Sequence, residues 1–416
     1  MNNRMIAGVG VLALIAVIIV VISNWCTIFS GTCPPPAPTL TQPGACPNAT
    51  THVYSYGGYR YFEDASIMQI LCERYGIEVK GEFRMGGYAM SDKYPHPDPN
   101  ITVDCTYPAS RITVDYFAAN HPNTILQAVV TSTDLNVIYT WQDYLPTLMQ
   151  AGIVTQVNQV YFVNMKPLVD AMLAGKQWAD IGVAIPGPVR IETTDPLTST
   201  GGAIWMAYMG SFMTPGNETG SKPLTLTDLQ ANPAIYPTLY TYWELQGSQI
   251  DTTVKLFNTF ISRGEGMPMA VAYETSFVAW LSTLDDDTKT RAQDIIGLYP
   301  NPTVGAELTL VSVNHDCDQL QHVLVEDKDI IRIARQNSGV CPPGFICDSI
   351  VNAPWLRDND TFPVLVSEPK DDVTAAIQAY ITTCSTGTPP GVCLPAPTPT
   401  AAAATLAETP IATATP

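Results

Sequence analysis

The pattern of apolar and polar positions begins with an uncharged run, Met5–Ser23, preceded by Arg4 and followed by no Lys, Arg, Asp or Glu until Arg60. About 20 apolar residues in a helix span the hydrocarbon core of a bilayer. A positive flank on the N-terminal side places residues 1–4 in the cytoplasm and everything after the run outside. The run is longer than a secretory h-region and ends in Trp25-Cys26 rather than in small residues, so an uncleaved anchor over 5–25 is expected. Cleavage, or lipid attachment at Cys26, is the alternative. Residues 26–50 are rich in Pro and Thr and read as a linker, and the Pro/Thr/Ala tail over 396–416 lacks the apolar pattern of a packed core.

The body over 51–395 alternates between two periods. Thr51–Ser55 has strand character and is broken by Gly57-Gly58. Asp64 then caps a helix carrying Ile67, Ile70 and Leu71, which Gly76 terminates. Ile77, Val79 and Phe83 share one face of the next strand, and strand–helix–strand in this order implies a right-handed parallel crossover. Tyr161–Val163 leads into a helix with Leu168, Val169, Met172 and Leu173. Further helices are predicted over 250–262, 276–284, 329–337 and 371–383, and strands over 269–273, 295–299 and 308–313. Such alternation predicts an α/β protein with parallel sheets.

Composition narrows the function. A formal charge of −18 disfavours nucleic acid as a partner, since phosphate binding needs a basic surface. Ten cysteines fit bridging in an oxidising compartment, with Cys33–Cys46, Cys72–Cys105, Cys341–Cys347 and Cys384–Cys393 paired by proximity alone. Glycosylation sequons occur at Asn48, Asn100, Asn217 and Asn359. No Walker loop, nucleophile elbow, dinucleotide fingerprint or H-E-x-x-H spacing occurs, and His315-Asp316-Cys317-Asp318 is a weak metal signal. The chain is read as a binder with no cofactor, metal or catalytic residue.

Several segments together resemble the extracellular solute-binding proteins of the type-2 periplasmic-binding-protein class. They are Thr51–Gly58, Phe62–Gly87, Val163–Val183, Val189–Tyr208, Met269–Leu281, Ile295–Val313 and Leu324–Phe345. The resemblance implies a two-lobe α/β fold with parallel or mixed sheets and a ligand between the lobes. It places the second lobe at about 155–295 and leaves 340–395 as a cysteine-rich elaboration. It also implies delivery of a small molecule to an ABC-type permease or sensor in the same membrane.

The strongest candidate site is Thr193–Gly202, whose Thr198, Ser199 and Thr200 stand at the start of an apolar helix. Hydroxyls and free N–H groups there, with the positive end of the helix dipole, suit a ligand oxygen; ordinary capping is the competing account. Ser55 and Gly57 lie where the first strand turns, and Thr131 and Ser132 follow an apolar run in the same lobe. Tyr273 and Glu274 are the second-lobe candidates. Trp141 and Trp205 read first as core and only then as stacking rings. An anion or a polyol fits these groups. The alternatives to a solute receptor are a structural or adhesive surface protein keeping the fold and, third, an extracellular hydrolase using two unspaced carboxylates.

Overall fold

The computed structural model describes residues 46–246, 250–285, 288–342, 350, 353, 355–356 and 363–385. The expected anchor, most of the linker and the tail lie outside these, and among the described residues no helix is long and apolar enough to cross a membrane.

β1 (Thr51–Gly57) ends in two glycines with φ of +82° and +88°, a left-handed turn that opens onto the short helix Tyr59–Phe62. The Asp64 carboxylate accepts the N–H groups of Ser66 and Ile67, starting helix Ala65–Tyr75, and Gly76 ends it in the left-handed conformation. β2 (Ile77–Glu82) returns parallel to β1, with Val53 opposite Val79. β3 (Cys105–Tyr107) lies parallel on the other side of β1, and helix Arg111–Asn120 follows it.

β4 (Gln127–Trp141) is the long strand on which the architecture turns. Its first half pairs antiparallel with β9 (Thr303–Ser312), which continues to β3. Its second half pairs with β7 (Met269–Tyr273) and β8 (Ile295–Pro300). Beyond β8 come β6 (Val160–Val163) and its hairpin partner β5 (Val154–Val157). A short β10 (Leu365–Val366) lies beside Thr303–Val304. The sheet is therefore mixed: the parallel arrangement expected from the alternation holds for β1–β2, β1–β3 and β6–β8, while β4 and β9 cross between lobes antiparallel. A bulge between Val130 and Ser132 marks the crossing, and bulges re-aim strands at such junctions.

Among the described residues two larger hydrophobic cores accompany a small third cluster of Tyr56, Met90 and Val103. The smaller of the two gathers Val53, Ile67, Leu71, Val79, Leu310, Leu320, Leu324 and Ile330. The larger gathers Leu135, Ile138, Leu168, Ile204, Trp205, Phe257, Phe260, Phe277 and Leu298, and takes in Trp355, Ile377 and Ile381 from the last described segment. The larger core draws on residues before 155 and after 295 as well, among them Leu135, Ile138 and Leu298. After β9 the chain thus finishes the first lobe and then returns to the second.

The disulfides correct two expected pairs. Cys46 bonds Cys72, and Cys105 bonds Cys317. Nearest-in-sequence pairing failed because the parallel crossover lays helix Ala65–Tyr75 beside the start of β1, and because an inserted lobe separates the two halves of the first. Cys341 and Cys384 are also disulfide-bonded; their expected partners Cys347 and Cys393 lie outside the described residues.

Candidate ligand-binding cleft

Helix Thr200–Ser211 is the centre of the larger lobe, with every residue from Gly201 to Ser211 buried. A helix apolar on all sides is enclosed on all sides. Asp195 builds its entry: the carboxylate accepts the Leu197 N–H at 3.1 Å and the Trp243 indole N–H at 3.2 Å. The Thr198 and Ser199 N–H groups turn back onto the Asp195 carbonyl at 3.2 and 2.9 Å. Ser199 caps the helix by accepting from the Gly202 N–H over a long 3.5 Å. The first N–H groups of a helix have no carbonyl four residues back, so those of Thr200 and Gly201 stand at the entry.

Glycine is required here by close approach. A Cβ on Gly202 would lie 2.4 Å from the Thr194 carbonyl oxygen, and one on Gly201 would lie 3.2 Å from the Tyr273 hydroxyl. Gly202→Ala is expected to cost about 1–3 kcal/mol through forced backbone movement, read as a lowered urea midpoint.

Tyr273 therefore reaches the helix entry from the end of β7. Its phenol is held far above the ordinary range, first by burial and then by the charges of Glu368 and Asp134. It is a neutral hydrogen-bond donor. Arg60 and Tyr59 also act on it electrostatically, and these come from the other lobe, just after the Gly57-Gly58 turn. Tyr59 is 38% exposed, and the guanidinium of Arg60 lies 5.5 Å from the centre of its ring. Helix entry, Tyr273 and the Tyr59–Arg60 corner converge where the lobes face each other.

Two ion pairs join the lobes beside this point. Arg60 Nη1 donates to Asp134 Oδ2 at 2.6 Å, and Asp134, midway along β4, also accepts the Thr275 N–H at 3.2 Å. Burial pushes the Asp134 carboxyl up, and Arg60 opposes it. Arg335 Nη1 donates to Glu274 Oε1 at 2.7 Å, with both side chains almost fully buried. Ser132 Oγ, Asn136 Nδ2 and Ser276 Oγ are buried without hydrogen-bond partners among the described residues. Buried polar atoms left unpaired cost free energy.

The expected site residues divide accordingly. Ser199, Thr200 and Tyr273 come together at the helix entry, with exposed Thr198 at its rim. Ser132 lies on β4. Glu274 is turned to Arg335. Thr131 is engaged by the Tyr107 hydroxyl and the Leu308 carbonyl. Ser55 is buried, its hydroxyl donating to the Gly57 carbonyl at 3.5 Å, and Gly57 serves the turn. Thr131 and Ser132, which follow the apolar run, lie inside the long strand β4. Trp205 donates to the Tyr242 hydroxyl at 3.0 Å, and Trp141 stacks on Phe260 with centroids 4.6 Å apart, so both fill core. Cys317 is in a disulfide and His315 pairs with Asp318 at 2.8 Å, which gives the His315–Asp318 cluster a structural role.

Sequence reasoning missed Tyr59, Arg60, Asp134 and Glu368. The one signal was Arg60 itself, the first charge after Arg4 and placed directly behind a Gly-Gly turn. Glu368 is partly exposed, but enclosure of its carboxylate pushes it up to about 7. Asp371 is pushed up to about 6, by burial and by Asp115 and Asp372. The folded protein binds more protons than the unfolded chain between the ordinary carboxylate range and these values. Stability contributed here is therefore complete below the ordinary carboxylate range and is lost as pH rises through about 6 for Asp371 and about 7 for Glu368. Glu368 accounts for at most about 3 kcal/mol. Unfolding at pH 5 and pH 8 is expected to show that fall, with a flatter profile in Glu368→Gln.

No family model matches the sequence, nor does any curated protein. Solved structures do match. The apo ferric ion-binding protein A of Pasteurella haemolytica aligns over 81% of this chain and 96% of its own, at 13% identity and a TM-score of 0.50. A periplasmic thiamin-binding protein aligns over 82% and 98%, at 14% identity and 0.46. The sulfate-binding protein SubI of Mycobacterium tuberculosis aligns over 77% and 94%, at 9% identity and 0.45. The fold is that of the type-2 periplasmic solute-binding proteins.

Proposed function

We propose that this chain is a membrane-anchored, outward-facing receptor that closes two lobes on a small solute and presents it to a permease or sensor in the same membrane. The observation that carries this reading is the convergence of a helix entry and the neutral Tyr273 donor from one lobe with Tyr59 and Arg60 from the other. Hydroxyls, free N–H groups and the positive helix end favour a ligand rich in oxygen, an anion or a polyol. Closure shifts the open–closed equilibrium by the ligand's differential affinity for the two states.

The test is thermal unfolding of the full chain in detergent against anions, sugars, amino acids and peptides. A ligand at 100 times its dissociation constant adds about 2.7 kcal/mol, a shift of a few degrees. A hit weakened by Ser199→Ala or Thr200→Ala supports solute capture. Silence across the library, with the protein folded, favours the structural surface role.

A further inference from the structure

A second helix begins against the entry of helix Thr200–Ser211. A Cβ on Gly201 would lie 2.8 Å from Thr253 Cγ2, and Thr253 is the first residue of helix Thr253–Arg263. Gly201 and Thr253 each stand in the first turn of their helix, so two helix N-termini meet at one point. Thr252 caps the second helix: its hydroxyl accepts the Lys255 N–H at 3.2 Å, and its carbonyl accepts the Leu256 N–H at 3.0 Å. The N–H groups of Thr253 and Val254 lie ahead of the first intrahelical bond, like those of Thr200 and Gly201. Val254 is exposed, so this second entry is open to solvent.

The Tyr273 hydroxyl gives an independent sign of a ligand. Tyr273 is only 8% exposed, and its hydroxyl has no hydrogen-bond partner among the described residues. Such a hydroxyl costs free energy unless something accepts its proton, and it lies 3.2 Å from the Cβ position on Gly201, where the two helices meet. The carboxylates nearby are already occupied. Asp195 accepts from Leu197 and Trp243, Asp251 pairs with Lys255 at 2.6 Å, and Asp134 pairs with Arg60. Glu368 accepts from Ser110.

The backbone groups left over at this junction are all donors, and both helices turn the positive end of their dipole toward it. Each hydroxyl of a polyol brings a hydrogen that needs an acceptor, whereas an oxyanion only accepts. We infer that the cleft selects an oxyanion group, a carboxylate, sulfate or phosphate, held where the first turns of these two helices meet beside the Tyr273 hydroxyl, and that it rejects neutral polyols. This names the ligand class of the proposed solute capture and rests on that reading.

The cap geometry allows one donor to be removed cleanly. Thr252 is extended, with φ −141° and ψ 148°, the conformation favoured before proline. Proline at the first helical position lacks only an N–H that the helix does not use. The test is calorimetric titration of the full chain in detergent with sulfate, inorganic phosphate and citrate, and separately with glucose and mannitol, at constant chloride. At least one oxyanion is expected to bind, and neither polyol. Thr253→Pro and Tyr273→Phe are each expected to weaken that binding about tenfold or more, the scale of a hydrogen bond to a charged group. Oxyanion binding unchanged in both variants would place the anion elsewhere and overturn the inference. A polyol that binds, and is weakened by Thr200→Ala, would overturn it while leaving solute capture intact. Binding by none of the five compounds would also overturn it, and the wider ligand screen would then decide solute capture separately. If Thr253→Pro fails to fold, Tyr273→Phe keeps the ring and decides alone.

Discussion

Replacing Arg335 with methionine is expected to lower the unfolding free energy by about 3–5 kcal/mol, the range seen when one partner of a buried ion pair is removed. Arg335 and Glu274 are 2% and 1% exposed, and Arg335 also donates to the Gly339 carbonyl at 2.8 Å. Without the guanidinium the Glu274 carboxylate keeps its desolvation cost and loses the Arg335 ion pair. Neutralising both partners with apolar residues of similar volume removes the stranded charge, so Arg335→Met with Glu274→Leu should recover most of the loss. Chemical denaturation checks both. A change below about 1 kcal/mol in the single variant would show that water reaches the pair. The pair also matters for motion, because Arg335 lies on a first-lobe helix and Glu274 on a second-lobe helix. Their contact links the two lobes.

The second large effect concerns Cys105 and Cys317. The bridge closes a loop with a sequence separation of 212, spanning the whole inserted part of the second lobe. In the chain-entropy account a bridge stabilises by restricting the unfolded chain, and losing a native one costs about 2–5 kcal/mol. The length of this loop puts Cys105→Ala with Cys317→Ala at the upper end. Both cysteines are fully buried, and they join β3 to the segment following β9, the two halves of the first lobe. The first lobe should therefore lose protection before the second in a denaturant series followed by hydrogen exchange. Simultaneous loss in both lobes, at an unchanged midpoint, would contradict this.

Much of the secondary structure was legible because local chemistry and tertiary packing agree. Asp64 and Gly76 bracket a helix by the same capping and left-handed geometry that the sequence announces, and Gly264 ends another. β4 was missed as a single 15-residue strand because its alternation is broken by polar residues that are nonetheless buried. Thr131 and Asp134 find side-chain partners on distant segments, through Tyr107, Arg60 and Thr275. A crossing strand enclosed on both faces has no outward side to show in its sequence.

The candidate site divides in the same way. The helix entry at Ser199–Gly202 is a local motif and could be read. Tyr59, Arg60 and Glu368 join it only through the crossover, the hinge and the return of the chain, none of which leaves a mark at those positions. Arg335 did leave one. It follows Ile331 by a helical turn on the buried stripe of its helix, and a charge on such a stripe implies a buried partner.

In the proposed mode of binding one solute is held by both lobes together. This is tested most directly by titrating a stabilising compound from the ligand screen into the wild type, Thr200→Ala and Tyr59→Ala. Thr200 stands at the helix entry of the second lobe, and Tyr59 is a partly exposed ring of the first. Each substitution is expected to weaken binding by about tenfold, the scale of one lost contact worth about 1.4 kcal/mol. Binding unchanged by Tyr59→Ala and by Thr200→Ala would contradict it and place the ligand outside the cleft.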